Sequence, residues 1–127
     1  MGVERYLLVA LGGALGSVLR YGLGAWVQGL TGPGFPFSTL LVNALGSLFI
    51  GVVLRLSWEG ALSGEARLFL AMGVLGGFTT FSTFSYETLA LLQEGEVFRA
   101  AVYVLASVLL GLGLAFFGYR LGGALVA

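Results

Sequence analysis

Histidine, cysteine, lysine and aspartate are all absent from this chain of 127 residues. Without histidine or cysteine there is no Ser-His-Asp or Cys-His nucleophile, no thiolate zinc site, no thioether haem attachment and no disulfide framework, so no enzyme activity is expected. The cationic side chains are six Arg, balanced by six Glu, and a net charge of zero leaves no basic field to hold nucleic acid. Charge of either sign is scarce. Only 9% of the residues carry it, against roughly 25% in a soluble domain, while 58% are hydrophobic. A chain with so little polar surface reads as an integral membrane protein with one domain over residues 1–127.

What is present is long apolar sequence. Residues 6–30, 37–56, 68–92 and 98–121 each approach the ~20 residues that carry a helix across a hydrocarbon core of ~30 Å. The connectors are short. Residues 31–36 form a Gly- and Pro-rich turn, 57–67 are charged, and 93–96 are acidic. The apolar N-terminal run is longer than a signal-peptide core and lacks an Ala-x-Ala cleavage site, so it is read as a permanent first span. Four spans place both termini on one side of the cell (plasma, or inner) membrane. Arg5, Arg55, Arg67 and Arg120 fall on that side, Arg99 on the other, and Arg20 leans towards Arg99. So shallow a bias permits both a fixed cytoplasmic N-terminus and insertion in either orientation.

The 22 glycines include Gly12-x-x-x-Gly16, Gly73-x-x-x-Gly77 and Gly118-x-x-x-Gly122, spacings that let helix backbones approach closely in lipid. Polar residues inside the spans are costly there and should face protein, water or substrate. Thr39, Asn43 and Ser47 recur every four residues on one face of the second span, and Asn43 is the chain's sole asparagine. Tyr103 and Ser107 repeat that step in the fourth span, and Gly111 continues it as a gap. Two readings are open for these stripes: hydrogen bonding between helices, or a conduit in which the Asn43 amide donates to an anion.

The third span contains Gly76-Gly77-Phe78-Thr79-Thr80-Phe81-Ser82-Thr83-Phe84-Ser85-Tyr86-Glu87, poor material for a continuous helix. Thr79 and Thr80 fall ~17 to 18 Å into the span by helical rise, near the bilayer midplane. A break there frees backbone carbonyls that suit a small cation such as sodium. The alternative is an intact helix whose hydroxyls bond back to its own carbonyls. Phe78, Phe81 and Phe84 recur every three residues, either for packing or to turn positive ring edges towards an anion. Arg20 and Glu87 fall at similar depth and either pair with each other or leave Arg20 to colour a vestibule positive.

Four helices cannot cover three polar faces and also leave a path between them. A second, antiparallel copy would cover those faces and bring two mid-span breaks to one centre. Two rival functions are a proton-coupled multidrug-type exporter, which needs an acid deep in the first span where only Arg20 stands, and a non-transporting scaffold.

The chain resembles the small bacterial fluoride channels called Fluc or CrcB. The resemblance lies in Gly12-Gly13-Ala14-Leu15-Gly16 through Arg20-Tyr21, in residues 35–46 around Thr39 and Asn43, and in residues 76–85 followed by Glu87. It implies an all-α, dual-topology homodimer with two fluoride pathways, a broken third helix and a structural sodium ion held at the centre by carbonyls of Gly76 and Thr79. By motif position, Asn43, Phe81, Phe84, Tyr103 and Ser107 would line the pathway with Thr39, Ser82 and Thr83, and Arg20 and Glu87 would stand in the vestibule. The partners so implied are fluoride, the bilayer and a second copy of the chain.

Overall fold

The computed structural model describes residues 2–127, and its regular elements are all helices. Helix α1 (Gly2–Thr31) is followed by α2 (Phe37–Trp58). The third span is composite: a capped turn α3 (Gly64–Arg67), a π-helical stretch (Leu68–Leu75), one further turn α4 (Gly76–Phe78) and, beyond two extended residues, α5 (Phe81–Gln93). Helix α6 (Val97–Leu125) closes the chain. Four helical segments, with α3 to α5 counted as one, are long and apolar enough to cross a membrane, as the hydropathy of the sequence requires.

Local chemistry sets the boundaries. The turn after α1 uses Gly32 and Gly34 at φ 72° and 114°, a region that side-chain-bearing residues avoid. Ser63 accepts a hydrogen bond from Ala66 N–H at 3.0 Å, so the third span begins at Gly64, inside the stretch that composition assigns to a connector. The π-helical stretch is a second departure from expectation. Its sequence, Leu68-Phe69-Leu70-Ala71-Met72-Gly73-Val74-Leu75, carries no periodic mark that separates π from α winding.

The glycine spacings do what lipid-phase packing demands. A methyl group on Gly12 would stand 2.6 Å from Phe69 O, one on Gly16 would collide with Val74 O, and one on Gly77 would meet Gly13 O at 2.5 Å. These positions press α1 backbone-to-backbone against the first half of the third span. On the other side of the molecule, Gly118 meets Leu48 O and Gly51 meets Ala115 O, which joins α6 to α2 in the same way. Helix α5 leans on α6 through Tyr103, fully buried with Leu91 and Ala100 and flanked by Phe35, Leu40 and Phe84. Leu11, Leu15, Trp26, Leu109 and Leu112 face outward. Apolar residues outside and close-packed backbone inside suit a protein whose solvent is hydrocarbon.

Candidate functional site

The helix of the third span stops at Phe78. Thr79 (φ −90°, ψ 159°) and Thr80 (φ −150°, ψ 117°) are extended, and winding resumes at Phe81. The break is therefore real, and the alternative of an intact helix does not hold. Thr79 N–H and Thr79 Oγ1 both donate to Leu75 O at 3.0 Å, closing the first half. Thr80 caps the second half: its Oγ1 accepts from Thr83 N–H at 3.2 Å and donates to Thr83 Oγ1 at 3.0 Å.

Backbone groups exposed by a break at this depth need partners. Asn43, reaching across from α2, supplies two of them: its Nδ2 donates to Thr80 O at 3.0 Å, and its Oδ1 accepts from Thr80 N–H at 2.8 Å. Arg20, from α1, donates through Nε to Gly77 O at 3.1 Å. The carbonyls of Gly77 and Thr80 are thus taken. Those of Gly76 and Thr79 accept no hydrogen bond from the described residues, and both residues line the larger cavity. Two neutral oxygens without a donor fit a hard cation such as sodium, although one chain supplies too few to surround it.

Two cavities meet at Thr80, which lines both. The larger, about 400 Å³, lies between α2, the third span and α6 and is walled by Asn43, Ser47, Thr79, Phe81, Phe84 and Ser107 among others. No ionisable side chain is in its lining. The smaller, about 280 Å³, contains Arg20, Ser38, Thr39, Thr83 and Glu87. The hydroxyl and amide stripe of α2 therefore runs from one cavity into the other, with Thr39 on one side of the partition and Asn43 and Ser47 on the other. Ser107 Oγ is buried and has no hydrogen-bond partner among the described residues. Gly111 faces Ser47: a methyl group there would lie 3.4 Å from Ser47 Oγ.

Several residues singled out from the sequence lie elsewhere than spacing suggests. Phe78 does not share a face with Phe81 and Phe84, because the break intervenes; it is buried beside Gly46. The Phe81 and Phe84 rings remain adjacent, with centroids 5.7 Å apart, and Phe81 is 79% exposed on the lone chain. Arg20 and Glu87 share the smaller cavity yet form no ion pair. Glu87 Oε1 instead accepts from the Tyr103 hydroxyl at 2.8 Å. Tyr103 lines neither cavity; its ring is tilted against Phe84 with centroids 5.1 Å apart and lies edge-on to Phe35. Ser82 is exposed and lines neither cavity, its Oγ 3.4 Å from Thr80 Oγ1.

Sequence reasoning found the break and missed how it is held. The clamps from Arg20 and Asn43 are contacts between residues 57 and 37 positions apart, for which a single sequence carries no signal. Also unforeseen is a cluster at the ends of α2 and α6: Arg55 Nε bonds Glu59 Oε2 at 2.9 Å, and its guanidinium lies 4.6 Å over the Tyr119 ring, which Trp58 meets edge-on.

This arrangement of a broken span between neutral polar cavities can be set beside known proteins. A family model described as "CrcB-like protein, Camphor Resistance (CrcB)" matches residues 7–119. Two proteins from separate strains of Thermus thermophilus, each named fluoride-specific ion channel FluC, are 79% identical over 126 residues (99% of both chains) and 77% identical over 124 residues (98% of this chain, 99% of the relative). A protein of the same name from Anaeromyxobacter dehalogenans is 52% identical over 115 residues, 90% of this chain and 91% of its own. Since the match runs through all four spans and takes in the break with both of its clamps, this multi-pass membrane chain belongs to the CrcB-like family.

Proposed function

We propose that this chain conducts fluoride passively across the cell membrane, and that it does so as an antiparallel homodimer with two pathways. The observation that carries the reading is the larger cavity, which is polar yet uncharged and sits directly against the break. Fluoride is small and strongly hydrated. It crosses quickly only where several weak donors replace its water in turn and no fixed charge traps it. The chain offers such a series. In the smaller cavity Arg20 offers positive charge to an anion opposite a Glu87 carboxylate engaged by the Tyr103 hydroxyl, and Thr39 and Thr83 supply hydroxyls there. Beyond Thr80, the second Nδ2 hydrogen of Asn43 and the Ser107 hydroxyl have no partner among the described residues, and the Phe81 and Phe84 rings, whose edges are electropositive, line the same cavity.

The homodimer accounts for what one chain leaves open. Phe81 lies bare on the surface of the lone chain, and the carbonyls of Gly76 and Thr79, which meet no donor among the described residues, would be half of a cation site. A two-fold axis in the membrane plane would cover the first and double the second. Sodium bound there would supply fixed positive charge at the dimer centre, lowering the cost of an anion in the hydrocarbon interior. In the cell, fluoride that enters as neutral acid and ionises would leave by this route down its gradient.

Efflux from proteoliposomes, followed with a fluoride electrode, tests the reading. Wild-type protein is expected to release fluoride without a proton gradient, and Phe81→Ile or Phe84→Ile to suppress release while the dimer still assembles. Proton-coupled uptake of an organic cation, with no fluoride release, would replace the channel by an exporter.

A further inference from the structure

Helix α4 ends at Phe78, so the carbonyl of Gly77 belongs to the last turn of a helix and would ordinarily bond the N–H four residues on. That residue is Phe81, which lies beyond the extended pair and has begun a new helix. A carbonyl orphaned at mid-membrane depth costs several kcal/mol, roughly, and it sits at the negative end of the helix dipole. The group that meets it is Nε of Arg20. One N–H of the guanidinium is thereby committed to backbone, and Arg20 also lines the smaller cavity, with four further N–H donors on its terminal nitrogens.

We propose that Arg20 is a positioning residue of the break. Its Nε–H caps the first half of the third span, as the Asn43 amide fixes Thr80 two residues after that half ends, and the two clamps together hold Thr79–Thr80 extended. The consequence is selective. With Gly77 O and Thr80 O occupied, the carbonyls of Gly76 and Thr79, residues that line the larger cavity, are left without a donor among the described residues, and Phe81 starts α5 beside it. Arg20 therefore has two separable properties, a donor at Nε and a positive charge at the rim. The first shapes the neighbouring cavity without facing it, since Arg20 is not in that lining.

Glutamine separates the two. Its Nε2 lies the same number of bonds from Cα as arginine Nε and carries a hydrogen, but no charge. Methionine is of similar length and has neither. In a chain labelled with carbonyl-13C glycine and 15N phenylalanine, signals arise only at the Gly34–Phe35 and Gly77–Phe78 junctions, so Gly34 is an internal reference. Arg20→Met is expected to move the Gly77 carbonyl resonance upfield, as loss of a donor does, whereas Arg20→Gln holds it near the wild-type position and Gly34 stays in place in both. Fluoride efflux, which rests on the channel reading, is expected to fall in both variants, with Met below Gln by ~tenfold, the equivalent of one net hydrogen bond. A Gly77 resonance unmoved in Arg20→Met overturns the proposal, and so do equal flux losses in Met and Gln, which would leave charge as the whole role. Should the Met variant fail to fold, an upfield shift of Gly77 in Arg20→Gln overturns it alone. If wild-type protein passes no fluoride while the Gly77 pattern holds, the clamp stands and the channel reading falls.

Discussion

Asn43→Ala takes both partners from the Thr80 peptide, leaving its carbonyl without a donor and its N–H without an acceptor. The two bonds, at 3.0 and 2.8 Å, are well formed. Hydrogen bonds between membrane helices average about 0.6 kcal/mol and reach about 1.7 kcal/mol, so two of them bracket the loss at about 1.2 to 3.4 kcal/mol. Half-burial of Thr80 beside two cavities lets water recover part of it, and the expected destabilisation is about 2 kcal/mol. Equilibrium unfolding in mixed micelles at fixed protein concentration, read by Trp26 and Trp58 fluorescence, measures this difference. Hydrogen exchange adds a local readout, since the Thr80 amide should lose protection together with the capped start of α5. Asn43→Asp is the discriminating companion. It keeps an acceptor for Thr80 N–H but turns a carboxylate oxygen towards Thr80 O, and should be at least as destabilising as alanine. The reasoning is refuted if Asn43→Ala lies within about 0.5 kcal/mol of wild type, the range of an ordinary surface substitution, with Thr80 still protected.

Other expectations follow from the same geometry. Gly16→Ala drives a methyl group into Val74 O, and overpacking against backbone should cost about 1 to 3 kcal/mol in the same unfolding assay. Gly113→Ala, with nothing within 4 Å of its added carbon, should instead gain up to about 1 kcal/mol of helix propensity. Ser107→Ala removes a buried hydroxyl that has no partner, so it should leave stability unchanged or raise it by about 1 kcal/mol while slowing fluoride efflux. Loss of stability there would show that Ser107 is hydrogen-bonded after all. Arg55→Met breaks a partly exposed ion pair and a contact with Tyr119 and should cost no more than about 1 kcal/mol, measured by the same unfolding.

Composition and periodicity alone determined that this chain lives in a membrane, crosses it with four helices and packs them through glycine. Those are one-dimensional properties: span length, mean polarity and a four-residue spacing each map directly onto a helix. The break was legible for the same reason, because Gly, Thr and Ser crowded around Thr79 and Thr80 weaken any helix locally. Which residues repair it was not. On the sequence, the Asn43 amide is open to a hydrogen bond between helices or to a conduit, and Arg20 to pairing with Glu87 or to a positive vestibule. Folding gave Asn43 the Thr80 peptide, Arg20 the Gly77 carbonyl and Glu87 the Tyr103 hydroxyl. Each of those choices depends on how α1, α2 and α6 are rotated about the third span, and that rotation is set by backbone contacts at Gly12, Gly16, Gly51 and Gly118. Tertiary structure alone decided it, because a hydrogen bond needs its atoms within about 3 Å and spacing along one helix says nothing about the azimuth of the next.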